Sequence, residues 1–314
     1  MFLRAILAAY PDRLTRRREP GSRRGVLIGG RGVRLAEQVA LGDEELYVSI
    51  DVDAAGGEAL VRQASAAQRS WLPADQITTE TIVEFDEQTE KVTAKKRVSF
   101  GSLVLDESQA ALPSDEAIAE ALATAAAGRL EQVFPTNDRD VVGFRTRVQC
   151  LSQWMPDLKL PPLDDQQLRD LLPQLAVGRR SLAELRRAPW LHALKSLFTW
   201  QQLQTIEREA PERIEVPSGS RVALTYEVGR PPILAVRIQE VFGLLQTPRI
   251  AGGRVNVLMH LLAPNMRVAQ VTDDLASFWA NTYSLVRKDL RARYPKHSWP
   301  EDPYTALPQR RPKK

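Results

Sequence analysis

A chain of 314 residues exceeds one ordinary hydrophobic core and divides naturally into two or three domains of about 100 to 150 residues each. Its composition is that of a soluble globular protein, and a single cysteine, Cys150, excludes an internal disulfide framework and points to a reducing, cytoplasmic setting. The net charge of +4 makes an anionic partner plausible, but 43 basic and 39 acidic residues are interspersed, so local clusters carry more information than the total.

Residues 1–19 open with an apolar run, Met1 to Ala9. Arg4 interrupts it and Pro11-Asp12-Arg13 follows at once, which argues against an export signal. The chain then enters an arginine cluster, Arg16, Arg17 and Arg18 with Arg23 and Arg24.

From residue 20 to about 111 the apolar period becomes two. Leu46, Val48, Ile50 and Val52 alternate with Tyr47, Ser49, Asp51 and Asp53, as expected of a half-buried strand. Gly29 to Gly32 separates two short strand candidates. Thr81–Phe85 and Lys91–Val98 form a predicted hairpin carrying Lys95, Lys96 and Arg97, and Leu103 to Leu105 follows Gly101. Five or six short strands of this kind predict a small barrel.

Residues 112–210 take a helical period. Ser114 is placed to start one helix, while Asp164 with Gln167 and Ser181 with Glu184 have capping-box spacing. Val141, Phe144, Val148 and Leu151 trace one buried stripe, and Leu168, Leu171, Leu172 and Leu175 another. Prolines at 156, 161, 162, 173 and 189 mark the expected connections.

Strands return over 211–271. Val216 to Arg221 reads as a turn, Ile233 to Arg237 as a strand entering a helical turn, and Arg254–Ala263 as the partner of Arg267–Val271 across Pro264-Asn265-Met266. A terminal helix of about five turns is predicted between a Thr272 cap and Pro295. On it Leu275, Phe278, Trp279, Tyr283, Val286 and Leu290 share one face. Arg287, Lys288 and Arg291 lie opposite, as a binding surface or as a solvated face suited to the helix dipole. The remaining basic clusters are Arg179-Arg180 with Arg186-Arg187, and Arg310-Arg311-Pro312-Lys313-Lys314.

The wording of this last stretch, Asp274-Leu275, Phe278-Trp279, Tyr283, Val286-Arg287-Lys288-Asp289-Leu290-Arg291, Arg293-Tyr294-Pro295-Lys296-His297, Trp299-Pro300 and Asp302-Pro303, closely resembles the C-terminal signature of the HrpB family of ATP-dependent helicases of the DEAH/RHA type. Ala292, Ser298 and Met266 stand where the resemblance implies Gly, Pro and Gly. It further implies that Leu7 to Arg13 closes a helical region following the motor domains. The stretch 20–111 is then an OB-like β domain and 211–314 the family's C-terminal α+β domain. The fold expected is therefore α+β, with a small OB-like barrel, a helical layer and a terminal unit ending in an amphipathic helix.

A helicase motor needs a glycine-rich loop ending in Gly-Lys-Ser/Thr and an acidic box that holds magnesium. No glycine here is followed by lysine, and Asp43-Glu44, Asp86-Glu87, Asp106-Glu107 and Asp115-Glu116 lack the completing histidine. No ATPase motif, cofactor site or metal site is therefore expected. His192, His260 and His297 share no ligand spacing. His260 reads as a core histidine and Cys150 as a partly buried helical residue.

The function expected is that of an accessory module of an RNA helicase. Its contacts to single-stranded RNA or DNA would be Lys95, Lys96, Arg97, Arg287, Lys288, Arg291, Lys296 and His297. The partner would be nucleic acid or a separately encoded motor, with no membrane role. The alternatives are a protein-interaction module without nucleic-acid binding, or the remnant of a split helicase gene. His297 itself fits either a phosphate and base contact or a packed clamp on the sheet.

Overall fold

A computed structural model describes residues 2–53 and 58–310. The fold is mixed α+β, in two compact units: Met1–Ala125 with Ala176–Ser181, and Ala126–Leu175 with Leu182–Lys314.

In the first unit the helix Phe2–Ala9 leads into a closed barrel of β1 (Leu14–Arg17), β2 (Arg24–Leu27), β3 (Gly32–Leu35), β4 (Leu46–Asp53) and β5 (Ala59–Ala67), in the order β1-β2-β3-β5-β4. β3 and β5 run parallel, and β1 closes the ring antiparallel to β4. Val33, Leu35, Tyr47, Ala59 and Val61 fill its interior. There Gly25 lets β2 pass Tyr47, because a Cβ at this position would stand 2.4 Å from the Tyr47 hydroxyl. Burial pushes the Tyr47 phenol up to about 12, against the opposing charge of Arg17. Outside the barrel Leu14, Leu46 and Val48 pack with Leu7, Phe100, Leu103 and Leu105.

This double packing corrects the reading of residues 46–53 as a half-buried strand: Leu46, Tyr47, Val48 and Ser49 are all buried, two toward the interior and two toward a second layer. That layer is a separate antiparallel sheet, β6 (Ile77–Asp86), β7 (Lys91–Phe100) and β8 (Leu103–Ala110), so the Lys95 hairpin is not part of the barrel. Leu14–Arg17, expected within residues 1–19 as the remnant of a preceding helical region, instead supplies the closing strand. The Gly29–Gly30 turn does join β2 to β3, both glycines having left-handed φ.

In the second unit the helices Arg139–Trp154, Asp165–Asp170, Leu172–Ala176, Leu182–Arg186, Trp190–Ser196 and Trp200–Glu209 bury both expected stripes. Asp138 caps the first of these, accepting from Asp140 and Val141, and Asp164 accepts from the Gln167 amide. Thr199 and Gln202 form a reciprocal capping box. Pro173 follows the break at Leu171 between Asp165–Asp170 and Leu172–Ala176. It sits in the first turn of Leu172–Ala176, where no amide donor is required. Cys150 is fully buried, which pushes its thiol up to about 11.

The terminal sheet has the order β15-β14-β11-β10-β9, made of β9 (Arg213–Glu215), β10 (Arg221–Thr225), β11 (Ile233–Arg237), β14 (Leu258–Leu262) and β15 (Val268–Thr272). A two-stranded pair, β12 (Arg249–Ile250) and β13 (Val255–Asn256), lies between β11 and β14 in sequence. Leu224, Leu234, Val236, Met259 and Leu261 bury one sheet face. His260, between Met259 and Leu261, is half-buried and lies on the opposite, open face rather than in the core. Met266 takes a left-handed φ of 66° in the 263–267 turn, the conformation glycine adopts without strain.

The terminal helix differs from a straight α-helix in two ways. Its cap is Asp274, which accepts from the Ser277 amide, rather than Thr272. Between Leu275–Ser277 and Tyr283–Arg293 it widens to a π-helical turn over Phe278–Thr282, with the Tyr283 amide donating to the Phe278 carbonyl. Across this wider turn Trp279 and Tyr283 both meet Phe242, Phe278 packs on the two of them, and Trp279 and Tyr283 stand edge-to-face at 5.2 Å. Val286 is only half-buried. Among the described residues no helix is long and apolar enough to cross a membrane.

Candidate nucleic-acid interface

Strand alternation divides the three hairpin cations. Lys95 and Arg97 share one face of β7 with Glu84 and Glu107 of the flanking strands. Lys95 contacts Glu84 and stands 3.5 Å from Glu107, while the Arg97 Nε donates to Glu107 at 3.1 Å. The bond to Glu84 holds the Lys95 ammonium above its ordinary range, and the bond from Arg97 holds Glu107 below its own. Two cations and two carboxylates thus neutralise one another. Lys96 points to the other face and is exposed.

The tail cations divide likewise. The Arg287 side chain is only 19% exposed. It donates to the Trp299 carbonyl at 2.9 Å and to Glu301 at 2.8 Å, so it fastens the proline-rich tail to the helix. Tyr283 helps by donating its hydroxyl to the Pro300 carbonyl, and the Trp299 ring nitrogen donates to the Tyr294 carbonyl. Lys288, Arg291 and Lys296 are exposed. His297 packs edge-on against Tyr294 with ring centroids 6.3 Å apart. Burial, then the charge of Arg237, lowers its pKa. The hairpin cations lie in the first unit and the tail cations in the second. Residues 311–314 of the terminal basic cluster lie outside the described residues.

A basic surface that the sequence reading did not assign is built by the barrel. Along β1 the arginines alternate. Arg17 is 6% exposed and donates to the carbonyls of Glu44, Ser22 and Gly42, which fixes the turns beneath the barrel. Arg16 and Arg18 therefore project outward. The register Arg16↔Val26 and Arg24↔Arg34 puts Arg24 and Arg34 on the same outer face of β2 and β3. Arg16 is tied to Glu45 at 2.9 Å and to the Val104 carbonyl at 3.2 Å, and Arg24 stands 3.5 Å from Glu58. Arg18 and Arg34 are exposed.

Beside these arginines opens a cleft of about 570 Å³, lined by Arg16, Arg18, Val26 and Gly30 of the barrel and by Ser102 and Val104. Ser102 braces it by accepting from the Gly29 amide at 2.7 Å. The signal was present in Arg16-Arg17-Arg18. A strand running through three arginines buries the middle one and aims its neighbours together.

Among the described residues no group of three His, Cys, Asp or Glu side chains is placed to hold a metal ion.

Comparison with known proteins adds to this geometry. A family model described as the ATP-dependent helicase C-terminal matches residues 171–303. The chain is 33% identical over 333 aligned positions to the ATP-dependent RNA helicase HrpB of Escherichia coli strain K12, covering 98% of this chain and 39% of that protein. It is similar to the crystal structure of the E. coli DExH-box NTPase HrpB, with a TM-score of 0.63 and 31% identity over 99% of this chain and 39% of that one. A second crystal structure, of the Escherichia coli DEAH/RHA helicase HrpB, matches with a TM-score of 0.55 and 30% identity over 94% and 38%. The chain thus spans about two fifths of the length of these relatives.

Proposed function

The chain belongs to the HrpB-type helicase family, whose C-terminal region it matches, and from that membership we propose that it is an accessory module that guides single-stranded nucleic acid for an ATP-dependent helicase motor. The observation that carries the reading is the outer barrel face bearing Arg16, Arg18, Arg24 and Arg34. The strand order β1-β2-β3-β5-β4, with β3 parallel to β5, supports an OB-like barrel, in which the face of strands 2 and 3 holds oligonucleotides. Guanidinium groups there track phosphates, and the apolar Val26 and the glycine turn leave room for bases. Lys96, Lys288, Arg291 and Lys296 are proposed as supplementary contacts. Arg287, fixed to the tail, acts on them only through the position of the helix. The setting proposed is the cytoplasm.

Fluorescence anisotropy with a labelled single-stranded RNA tests this. Four phosphate contacts predict a log–log salt slope of about −3, at about −0.7 per contact. The double variant Arg18→Glu/Arg34→Glu should weaken binding about tenfold or more and flatten the slope. Unchanged binding by a folded double variant would exclude the barrel face.

A second reading, docking to a helicase motor segment, is favoured by the internal neutralisation of Lys95 and Arg97. Co-purification with an HrpB-type motor segment tests it.

A further inference from the structure

The open face of the terminal sheet is built unlike its buried face. Cross-strand register aligns Arg213 with Ala223, and Ala235 with His260 and then Val271. Ala223 and Ala235 are both exposed, so the middle of the sheet presents methyl groups where a packed face would carry large side chains. Around this floor stand Arg213, Arg221, Arg237 and Arg310, with Met266, 63% exposed, at one side, and together they line a cavity of about 450 Å³.

One carboxylate, Glu240, shares the cavity, and its charge is already committed. It is 8% exposed and accepts from Ser220 at 2.5 Å, from Ser218 at 3.1 Å and from Arg237 at 2.9 Å. Arg237 also donates to the Arg310 carbonyl, and the Arg310 Nε to the Ser218 carbonyl, so the pair anchors the tail. The remaining positive charge is that of Arg213, Arg221 and Arg310. Arg213 spends one nitrogen on the Arg221 carbonyl, and the Arg221 guanidinium makes no hydrogen bond or ion pair among the described residues.

We propose that this cavity is a second contact for single-stranded nucleic acid, separate from the barrel, in which the phosphodiester backbone lies along Arg213, Arg221 and Arg310 and a base or sugar rests on Ala223 and Ala235. Three features select this ligand. The donors are guanidiniums, whose planar forks match phosphate oxygens bidentately. The floor is apolar and shallow, which suits a flat base face. The cavity opens on a sheet face, where the backbone groups are already spent in the ladder, so an extended acidic peptide would gain no main-chain pairing. A ligand with charge repeated along its own backbone matches the arginines of the rim.

The inference shares its ligand class with the proposed function and rests on different residues, so one experiment separates them. Anisotropy of the full chain is measured with a labelled oligouridylate of about 12 nucleotides over a salt series. Arg213→Glu/Arg221→Glu is compared with Arg18→Glu/Arg34→Glu, and circular dichroism checks folding. Arg213→Gln/Arg221→Gln serves as the version without charge reversal.

The groove variants should weaken binding about tenfold and reduce the slope by about 1.4, two contacts at about 0.7 each. Photo-crosslinking to 4-thiouridine should recover peptides containing Ala223 or Met266. Wild-type affinity and slope in the groove variants, with loss only in the barrel variant, overturns this inference and leaves the barrel reading standing. Loss only in the groove variants does the reverse, and no loss in either removes both. If the groove variants instead lose binding to polyglutamate while RNA binding is unchanged, the site belongs to an acidic polypeptide and the inference fails.

Discussion

Replacing Arg147 by alanine should unfold the second unit more readily than any exposed arginine change. Arg147 is 2% exposed in the 139–154 helix, and its guanidinium donates to the Ala210 carbonyl at 2.8 Å, to Glu212 at 2.7 Å and to Glu207 at 2.9 Å. One residue thereby joins that helix to the end of the 200–209 helix and the approach to β9. The two glutamates are 68% and 50% exposed, so they rehydrate when the arginine is removed, and each pair contributes about 0–1 kcal/mol. The carbonyl of the fully buried Ala210 has no such recourse, and losing a charged donor there costs about 1.5–3 kcal/mol. Loss of the packed methylene stem adds about 1 kcal/mol. The sum is about 2.5–6 kcal/mol. With a urea slope of about 2 kcal/mol per molar, the midpoint should fall by about 1.3–3 M. Tryptophan fluorescence reports the transition well, because Trp154, Trp190, Trp200, Trp279 and Trp299 all belong to this unit. Glu207→Gln should shift the midpoint by no more than about 0.5 M, and an Arg147→Ala shift within about 0.3 M of wild type would refute the assignment of Arg147 as a buried anchor.

Gly25→Ala should destabilise the barrel by about 3 kcal/mol, since the new methyl meets the Arg16 carbonyl at 2.9 Å as well as Tyr47 and Thr15. A thermal melt of the first unit that does not move would contradict this packing. Asp157 is held below the usual carboxylate value of 3.8 by its two-pronged bond to Arg254, with both contacts at 3.0 Å. A folded-state pKa depressed below the unfolded one gives stability that is complete above the unfolded value and is lost as the pH falls through the folded one. Carboxyl NMR should therefore place the Asp157 midpoint below the ordinary carboxylate value in the native chain and higher in Arg254→Gln, equal midpoints in the two proteins disproving the link. Tyr283→Phe removes the hydroxyl bond to the Pro300 carbonyl and should cost about 1 kcal/mol by thermal denaturation. Faster hydrogen exchange of the tail amides should accompany it, and unchanged exchange would show that the tail is held without this bond.

Much of the local structure was legible because its causes lie within a few residues. The Gly29–Gly30 turn, the 81–98 hairpin, the Asp164 cap and the stripes of the 139–154 and terminal helices depend on φ preferences, short-range capping and the 3.6-residue period. The family signature from Asp274 to Pro303 was legible for the same reason, being one contiguous run. The π-helical turn at Phe278–Thr282 was not, because the Phe242 ring that Trp279 and Tyr283 pack against lies far off in the sequence. The closing of the barrel by Leu14–Arg17 was hidden too, since a four-residue strand has no periodicity to show until β4 stands beside it.

By itself the sequence determined which regions are mainly strand and which mainly helix, most residues of the apolar stripes and which family it resembles, since each is written in neighbouring residues. Which of the arginines and lysines remain available to a ligand was decided only in three dimensions. Arg97 meets Glu107, Arg287 meets the tail and Arg147 meets Ala210, while Arg18, Arg34 and Arg221 are left facing outward. A guanidinium's partner is set by which strands and helices come to lie beside it, and Coulombic pairing at about 3 Å is blind to separation along the chain.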